Sequence, residues 1–320
     1  MPGKLLVFLP VLEPRHREII QAAAEKNGFQ ALFFEQEEEA LSACGDAEIL
    51  FTQSALIPAR APAFRWMCTP SAGVNTFVHL DAFRSGRAIL SNSSGAYGVT
   101  ISEHVVMTTL EMLRRQLEYD AIVSRREWVR SLPVRSILGS RVAVLGTGDL
   151  GREIARRFGA FAPASLTGVN RSGANPEGLF DRVVPIGDLD GLLPDTDILI
   201  MTLPETRDTL GLLDARRISL LPDQALIVNV GRGSAIDQAS LEAQLRSGRL
   251  RAALDVFETE PVPADAPLWT CPNLLLTPHI AGNMTLPYTR ERIVSLFLED
   301  FDNYSSRRPL LRRIDISREY

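Results

Sequence analysis

Cysteine is scarce in this chain: Cys44, Cys68 and Cys271 are the only three in 320 residues, an odd number with no C-x-x-C pair. That excludes a disulfide framework or a thiolate metal site as the organising device and fits a reducing compartment, so a cytoplasmic protein without a metal is expected. Also missing is any apolar run near the roughly 18 residues that span a bilayer. The stretch Lys4 to Leu12 is charged and then apolar, but Pro10 interrupts it and Glu13, Arg15 and Arg17 follow, so it reads as a first buried strand rather than a leader. Excess basic charge is absent as well. Lys and Arg total 34 against 39 Asp and Glu, for a net charge of −5, which argues against a general affinity for nucleic acid or anionic lipid. There is no low-complexity segment and no internal repeat.

What is present is an ordinary globular composition, 45% hydrophobic and 23% charged, at about twice the length of a typical domain, so two domains are expected. Short apolar runs alternate with segments of helical period, the pattern of α/β units around parallel sheets. One series of strands is expected at Leu5 to Leu9, Ala31 to Phe34 and Glu48 to Thr52. A second is expected at Val142 to Leu145, Leu166 to Val169, Asp197 to Met201, Leu226 to Val230, Ala252 to Val256 and Leu274 to Thr277. Between them, Val105, Val106, Thr109, Leu110, Leu113 and Leu117 recur at helical spacing from a start near Ser102, giving a long apolar face suited to an interdomain or subunit contact. An irregular arm around Trp128 and Pro133 follows, and a last helix runs from Leu286 to Tyr304.

The segment VAVLGTGDLGREIARRFGAF carries Gly146, Gly148 and Gly151 in a G-x-G-x-x-G loop, with Asp149 and Leu150 inside it, between an apolar strand and an amphipathic helix. In that context the first glycine permits a tight turn, the second lets the backbone approach a pyrophosphate, and the third lets helix and strand pack closely. The helix start then offers free N–H groups to the phosphates. Where an NAD-specific site carries an acid for the ribose 2′-hydroxyl, after the second strand, this chain has Asn170, Arg171 and Ser172. Without a carboxylate to repel it, a 2′-phosphate can be held by the guanidinium and the hydroxyl, so NADP is the preferred cofactor and NAD the alternative.

Downstream lie NVGRG (Asn229 to Gly233), ALDVFETEP (Ala253 to Pro261) and LLLTPHIAGN (Leu274 to Asn283), each at or just after an expected strand. With these three motifs in order, the chain resembles the D-isomer-specific 2-hydroxyacid dehydrogenases from about Cys68 onward. The residue chemistry agrees with that resemblance, because reducing a keto acid requires a cation for its carboxylate and carbonyl and a proton donor for the developing alkoxide, which Arg232 and His279 can supply. The resemblance implies a Rossmann-type, doubly wound dinucleotide domain (99–286) inserted into a smaller flavodoxin-like α/β substrate domain (1–98 and 287–320), with catalysis in the cleft between. It implies Arg232, Glu260 and His279 as the catalytic set, Glu260 favouring the imidazolium and orienting it.

The same resemblance places Leu203, Pro204, Thr209, Val230, Gly231, Asp255 and Ala281 along the cofactor, with Arg232 and His279 touching both cofactor and substrate, and Asp255 near the nicotinamide carboxamide. Ser71-Ala72-Gly73-Val74-Asn75 resembles the loop whose backbone N–H groups hold the substrate carboxylate. A homodimer is implied, with the Ser102 helix and the Trp128 arm as the contact. His16, His79 and His104 lack such company and read as structural or surface residues. The expected function is reduction of a small 2-keto acid to a D-2-hydroxy acid. The alternative is a dehydrogenase-like corepressor that uses the fold as a nucleotide-sensing binding module.

Overall fold

The structure, a computed structural model, describes residues 2–175 and 177–318. The chain divides into two compact units, Met1–Tyr97 with Asn283–Tyr320, and Gly98–Gly282.

In the first unit, β1 (Gly3–Phe8), β2 (Phe29–Phe34), β3 (Ile49–Thr52), β4 (Trp66–Cys68) and β5 (Ile89–Ser91) form an all-parallel sheet in the order β2-β1-β3-β4-β5. That is the flavodoxin-like winding. The chain returns to this unit because its last helix, Pro287–Ser305, stacks Phe297 on Phe51 with centroids 4.0 Å apart and on Trp66 at 5.5 Å. The sequence shows the helical period there; the aromatic partners lie more than two hundred residues earlier.

The second unit holds β6 (Arg141–Leu145), β7 (Ser165–Asn170), β8 (Arg182–Pro185), β9 (Ile198–Met201), β10 (Leu226–Asn229), β11 (Arg251–Leu254) and β12 (Leu274–Leu276). They form a seven-stranded parallel sheet in the order β12-β11-β10-β9-β6-β7-β8. Strands covered on both faces are largely apolar, and all four residues of β9 and of β10 are buried, Asn229 at the carboxyl end of β10 being the one polar residue among them. The winding reverses between β6 and β9, and at such a switch point a crevice opens outside the carboxyl ends of the strands. Every candidate residue of this unit named above follows the carboxyl end of one of its strands or sits in that end.

The structure differs from the sequence reading in three places. β4, β5 and β8 were not expected; at three or four residues they are too short to show a period. The helix expected from Ser102 through Leu117 starts at Gly98 and ends at Arg114, and Leu117 belongs to a separate helix, Gln116–Ser124. Arg115 breaks the two apart in the left-handed region at φ 58°. Finally, Val105, Thr109 and Leu113 of the Gly98–Arg114 helix are buried within its own unit, where the helix packs on the helix Asp149–Gly159 and on β10 and β11, while Val106 and Leu110 are half-buried. The Trp128 arm is irregular, as expected, and the Trp128 side chain is 89% exposed.

Candidate active site

The glycine loop joins β6 to the helix Asp149–Gly159. Gly146 has φ +100°, and a Cβ there would meet Thr202 Oγ1 at 2.5 Å. At Gly151 a Cβ would lie 1.9 Å from the Gly146 carbonyl oxygen, so the first turn of the helix rests directly on the loop. Gly148 is different: nothing lies within 4 Å of its ideal Cβ position. It is the N-cap of the helix, with open space beside a helix start that no side chain caps. A pyrophosphate fits this cradle.

The end of β7 is tied to that loop by Asn170. Its Nδ2 donates to Thr147 Oγ1 at 2.8 Å and to the Ala174 carbonyl at 2.9 Å, while its Oδ1 accepts from the N–H of Ser172 at 3.0 Å and of Gly173 at 2.6 Å. The side chain of Asn170 therefore shapes the turn, and Arg171 and Ser172 are presented on its exposed side.

The loop after β10 is built around two close backbone approaches. A Cβ on Gly231 would lie 2.6 Å from the Leu203 carbonyl oxygen, and one on Gly233 would lie 1.9 Å from the Phe257 carbonyl carbon. Buried Asn229 spans the turn, its Nδ2 donating to the Arg232 carbonyl at 2.9 Å and its Oδ1 accepting from the Gly231 N–H at 3.0 Å. Arg232 is thereby held between the ends of β9 and β11. Burial pushes its guanidinium below the ordinary arginine value, opposed by the carboxylates of Glu205 and Glu260. Glu205 accepts a hydrogen bond from the Ser234 hydroxyl. Leu203 and Val230 are buried beside this turn, and Thr209 donates to the Pro204 carbonyl at 2.7 Å, folding the 203–209 loop on itself.

After β11, Glu260 Oε1 accepts from the Phe257 N–H at 2.9 Å, which leaves Oε2 to meet His279 Nδ1 at 2.6 Å. The pair is partly open, with side chains 51% exposed for His279 and 34% for Glu260. His279 has φ 54°, an uncommon conformation for a residue with a Cβ. Its turn is pinned by Asp255: Oδ1 accepts from Thr277 Oγ1 at 2.6 Å and from the Ile280 N–H at 2.9 Å, and Oδ2 accepts from the Ala281 N–H at 2.9 Å. Asp255 thus has a structural task that the sequence reading did not assign to it. Asn229, Thr277, Glu205 and Ser234 were not singled out either, although the first two stand inside quoted motifs.

In the first unit, the loop after β4 has its carbonyl groups occupied. Pro70 accepts from Tyr97 Oη at 2.7 Å, Ser71 from the Ser93 N–H at 3.0 Å, Ala72 from Asn92 Nδ2 at 2.6 Å, and Gly73 from Ser71 Oγ at 2.8 Å. The N–H groups of Ala72 and Gly73 have no hydrogen-bond partner among the described residues.

Of the other histidines, His79 is exposed, and His16 is buried, accepting from the Glu13 N–H in a helix-capping arrangement.

Residues 106–281 match the family model described as the D-isomer specific 2-hydroxyacid dehydrogenase, NAD binding domain. The chain belongs to this family. Among curated relatives of the dehydrogenase, glyoxylate/hydroxypyruvate reductase B of Pectobacterium atrosepticum is 33% identical over 229 residues, 69% of this chain and 70% of that protein. A D-isomer specific 2-hydroxyacid dehydrogenase family protein of Aeromonas salmonicida superposes with a TM-score of 0.87 at 31% identity, covering 99% of this chain and 100% of the other. A D-isomer specific 2-hydroxyacid dehydrogenase of Xanthobacter autotrophicus, solved with NADPH and MES, superposes at 0.81 with 27% identity and full coverage of both chains. The dehydrogenase is accordingly an NAD(P)-dependent oxidoreductase with a Rossmann-type domain. Among the described residues no helix is long and apolar enough to cross a membrane.

Proposed function

We propose that this enzyme is an NADPH-preferring reductase of small 2-keto acids, with Arg232, Glu260 and His279 as its catalytic residues. The observation that carries the reading is the His279 Nδ1 to Glu260 Oε2 contact of 2.6 Å, beside an arginine locked in the neighbouring strand-end loop. With Nδ1 committed to the carboxylate, Nε2 is the nitrogen left to give a proton to the alkoxide forming at C2. Arg232 binds the substrate carboxylate and steadies the charge that grows on the carbonyl oxygen. Bound NADPH supplies the hydride that C2 accepts. Gly146, Gly148, Asp149, Leu150 and Gly151 are assigned the pyrophosphate, and Leu203, Pro204, Thr209, Val230, Gly231, Asp255 and Ala281 the rest of the cofactor. The Ala72 and Gly73 N–H groups suit a carboxylate, which assigns substrate binding to the first unit's loop, Ser71 included. A relative named for glyoxylate and hydroxypyruvate places those two acids first among substrates to try. The reading includes a homodimer joined through the Gly98–Arg114 helix and the exposed Trp128 arm.

Initial rates with glyoxylate, hydroxypyruvate, pyruvate and bulkier 2-keto acids, each with NADPH and NADH, test the proposal. No turnover with any of them would favour a nucleotide-sensing binding module instead.

Two narrower results are expected. Arg171→Ala raises KM for NADPH about tenfold or more, the worth of a charged hydrogen bond to phosphate, and leaves NADH kinetics unchanged. Equal losses with both cofactors would remove Arg171 from the phosphate site. Adding Asn170→Asp introduces repulsion and pushes the preference further toward NADH. Glu260→Gln keeps the shape but replaces the charged partner of Nδ1 with a neutral amide, so kcat for ketone reduction should fall about tenfold or more while KM for NADPH changes little. An unchanged kcat would remove Glu260 from the catalytic set.

A further inference from the structure

We propose that His104 is a positioning residue for catalysis, holding through Thr277 and Asp255 the turn that presents His279. This rests on the reading of His279 as the proton donor. His104 lies in the helix Gly98–Arg114 with its side chain 10% exposed. Its Nε2 is 3.3 Å from Thr277 Oγ1 and 4.0 Å from Asp255 Oδ1.

Proton counting assigns the tautomer. The Thr277 hydroxyl has one hydrogen, and its 2.6 Å contact with Asp255 Oδ1 takes it, since a carboxylate only accepts. Thr277 Oγ1 can then only accept from His104, so the ring carries its hydrogen on Nε2. Burial pushes His104 toward the neutral form, opposed by the charges of Asp255 and Glu111. A neutral ring has one N–H, and here it is directed at Thr277.

The chain of donors ends at the reacting histidine. Asp255, oriented by Thr277, accepts from the N–H groups of Ile280 and Ala281, while the His279 N–H reaches back to the Thr277 carbonyl at 3.0 Å. Both sides of the left-handed residue are therefore held by groups that His104 reaches in one or two steps. A left-handed conformation at a residue other than glycine persists only where its surroundings over-determine it. Losing the first donor frees the Thr277 rotamer, then the carboxylate, and lets His279 leave its reactive placement.

The test measures kcat, KM for glyoxylate and for NADPH, and Tm in His104→Leu, His104→Gln, Thr277→Val and the His104→Leu/Thr277→Val double variant. His104→Leu and Thr277→Val should each lower kcat about tenfold, the scale of a small misplacement of a reacting group, with KM values within about threefold of wild type. His104→Gln restores an N–H donor and should recover most of the loss. The double variant should be no worse than either single one, because both break the same chain. Wild-type kcat in His104→Leu, additive losses in the double variant, or a kcat that simply follows Tm with no rescue by glutamine would each overturn the proposal. If His104→Leu does not fold, His104→Phe, a ring without the donor, takes its place with the same outcomes. His279→Asn, measured alongside, separates the two readings: retained turnover there sinks the donor assignment and this proposal together. Lost turnover there with an unaffected His104→Leu sinks this proposal alone.

Discussion

His279→Ala and Arg232→Ala are each expected to lower kcat/KM by at least roughly a hundredfold, the loss of an acid catalyst in one case and of an electrostatic clamp in the other. His279 is half exposed, and its turn is pinned through the backbone by Asp255 rather than by its own ring. Removing the ring should therefore leave the fold intact. His279→Asn is a useful companion because asparagine tolerates the left-handed conformation that this position requires. Arg232 is more embedded, and its removal leaves the carboxylates of Glu205 and Glu260 without the cation that they face. Arg232→Lys keeps the charge but loses the planar fork that grips a carboxylate in two places, so it should recover little. A well-folded His279→Asn enzyme with near wild-type turnover would show that another group delivers the proton.

Gly233→Ala should be about as damaging for a different reason. The added methyl would lie 1.9 Å from the Phe257 carbonyl carbon and 2.1 Å from its oxygen. Those are backbone atoms that cannot swing aside, so the loops after β10 and β11 must part. Arg232 precedes the substituted residue, and Glu260 is anchored on the Phe257 N–H, so both side chains proposed for catalysis move. A displacement of about 1 Å is enough to cost on the order of a hundredfold in rate, and overpacking should lower stability by about 1–3 kcal/mol or more. Gly148→Ala is the contrast, since nothing lies within 4 Å of its new methyl. That variant should keep the wild-type Tm and lose affinity for the cofactor, because the methyl fills space meant for the pyrophosphate. Calorimetry and cofactor titration on the two variants distinguish these outcomes. Equal Tm losses in both would mean that the glycines serve packing alone.

Much of the site was legible in the sequence because its parts are local. A G-x-G-x-x-G between an apolar run and an amphipathic segment specifies a turn whose geometry needs no distant partner. The apolar runs of β9 and β10 announce strands buried on both faces, and a polar motif just past such a run must emerge at the carboxyl end of the sheet. Arg232, Glu260 and His279 are visible in this way, each within a short motif at a strand end. The sequence also shows that no acid follows β7, a fact about residue type alone.

Tertiary structure decided what depends on strand order and through-space distance. That Gly233 touches Phe257 follows from β10 and β11 being neighbours, and no pattern within either segment states it. The commitment of Asp255 to the His279 turn follows from β11 and β12 being neighbours, and the contact of His104 with Thr277 across 173 residues exists only once the Gly98–Arg114 helix packs on β10 and β11. The same packing buries Val105, Thr109 and Leu113 of that helix and leaves Val106 and Leu110 half-buried. Periodicity reports which side of a helix is apolar. Only the assembled sheet shows what that side is buried against.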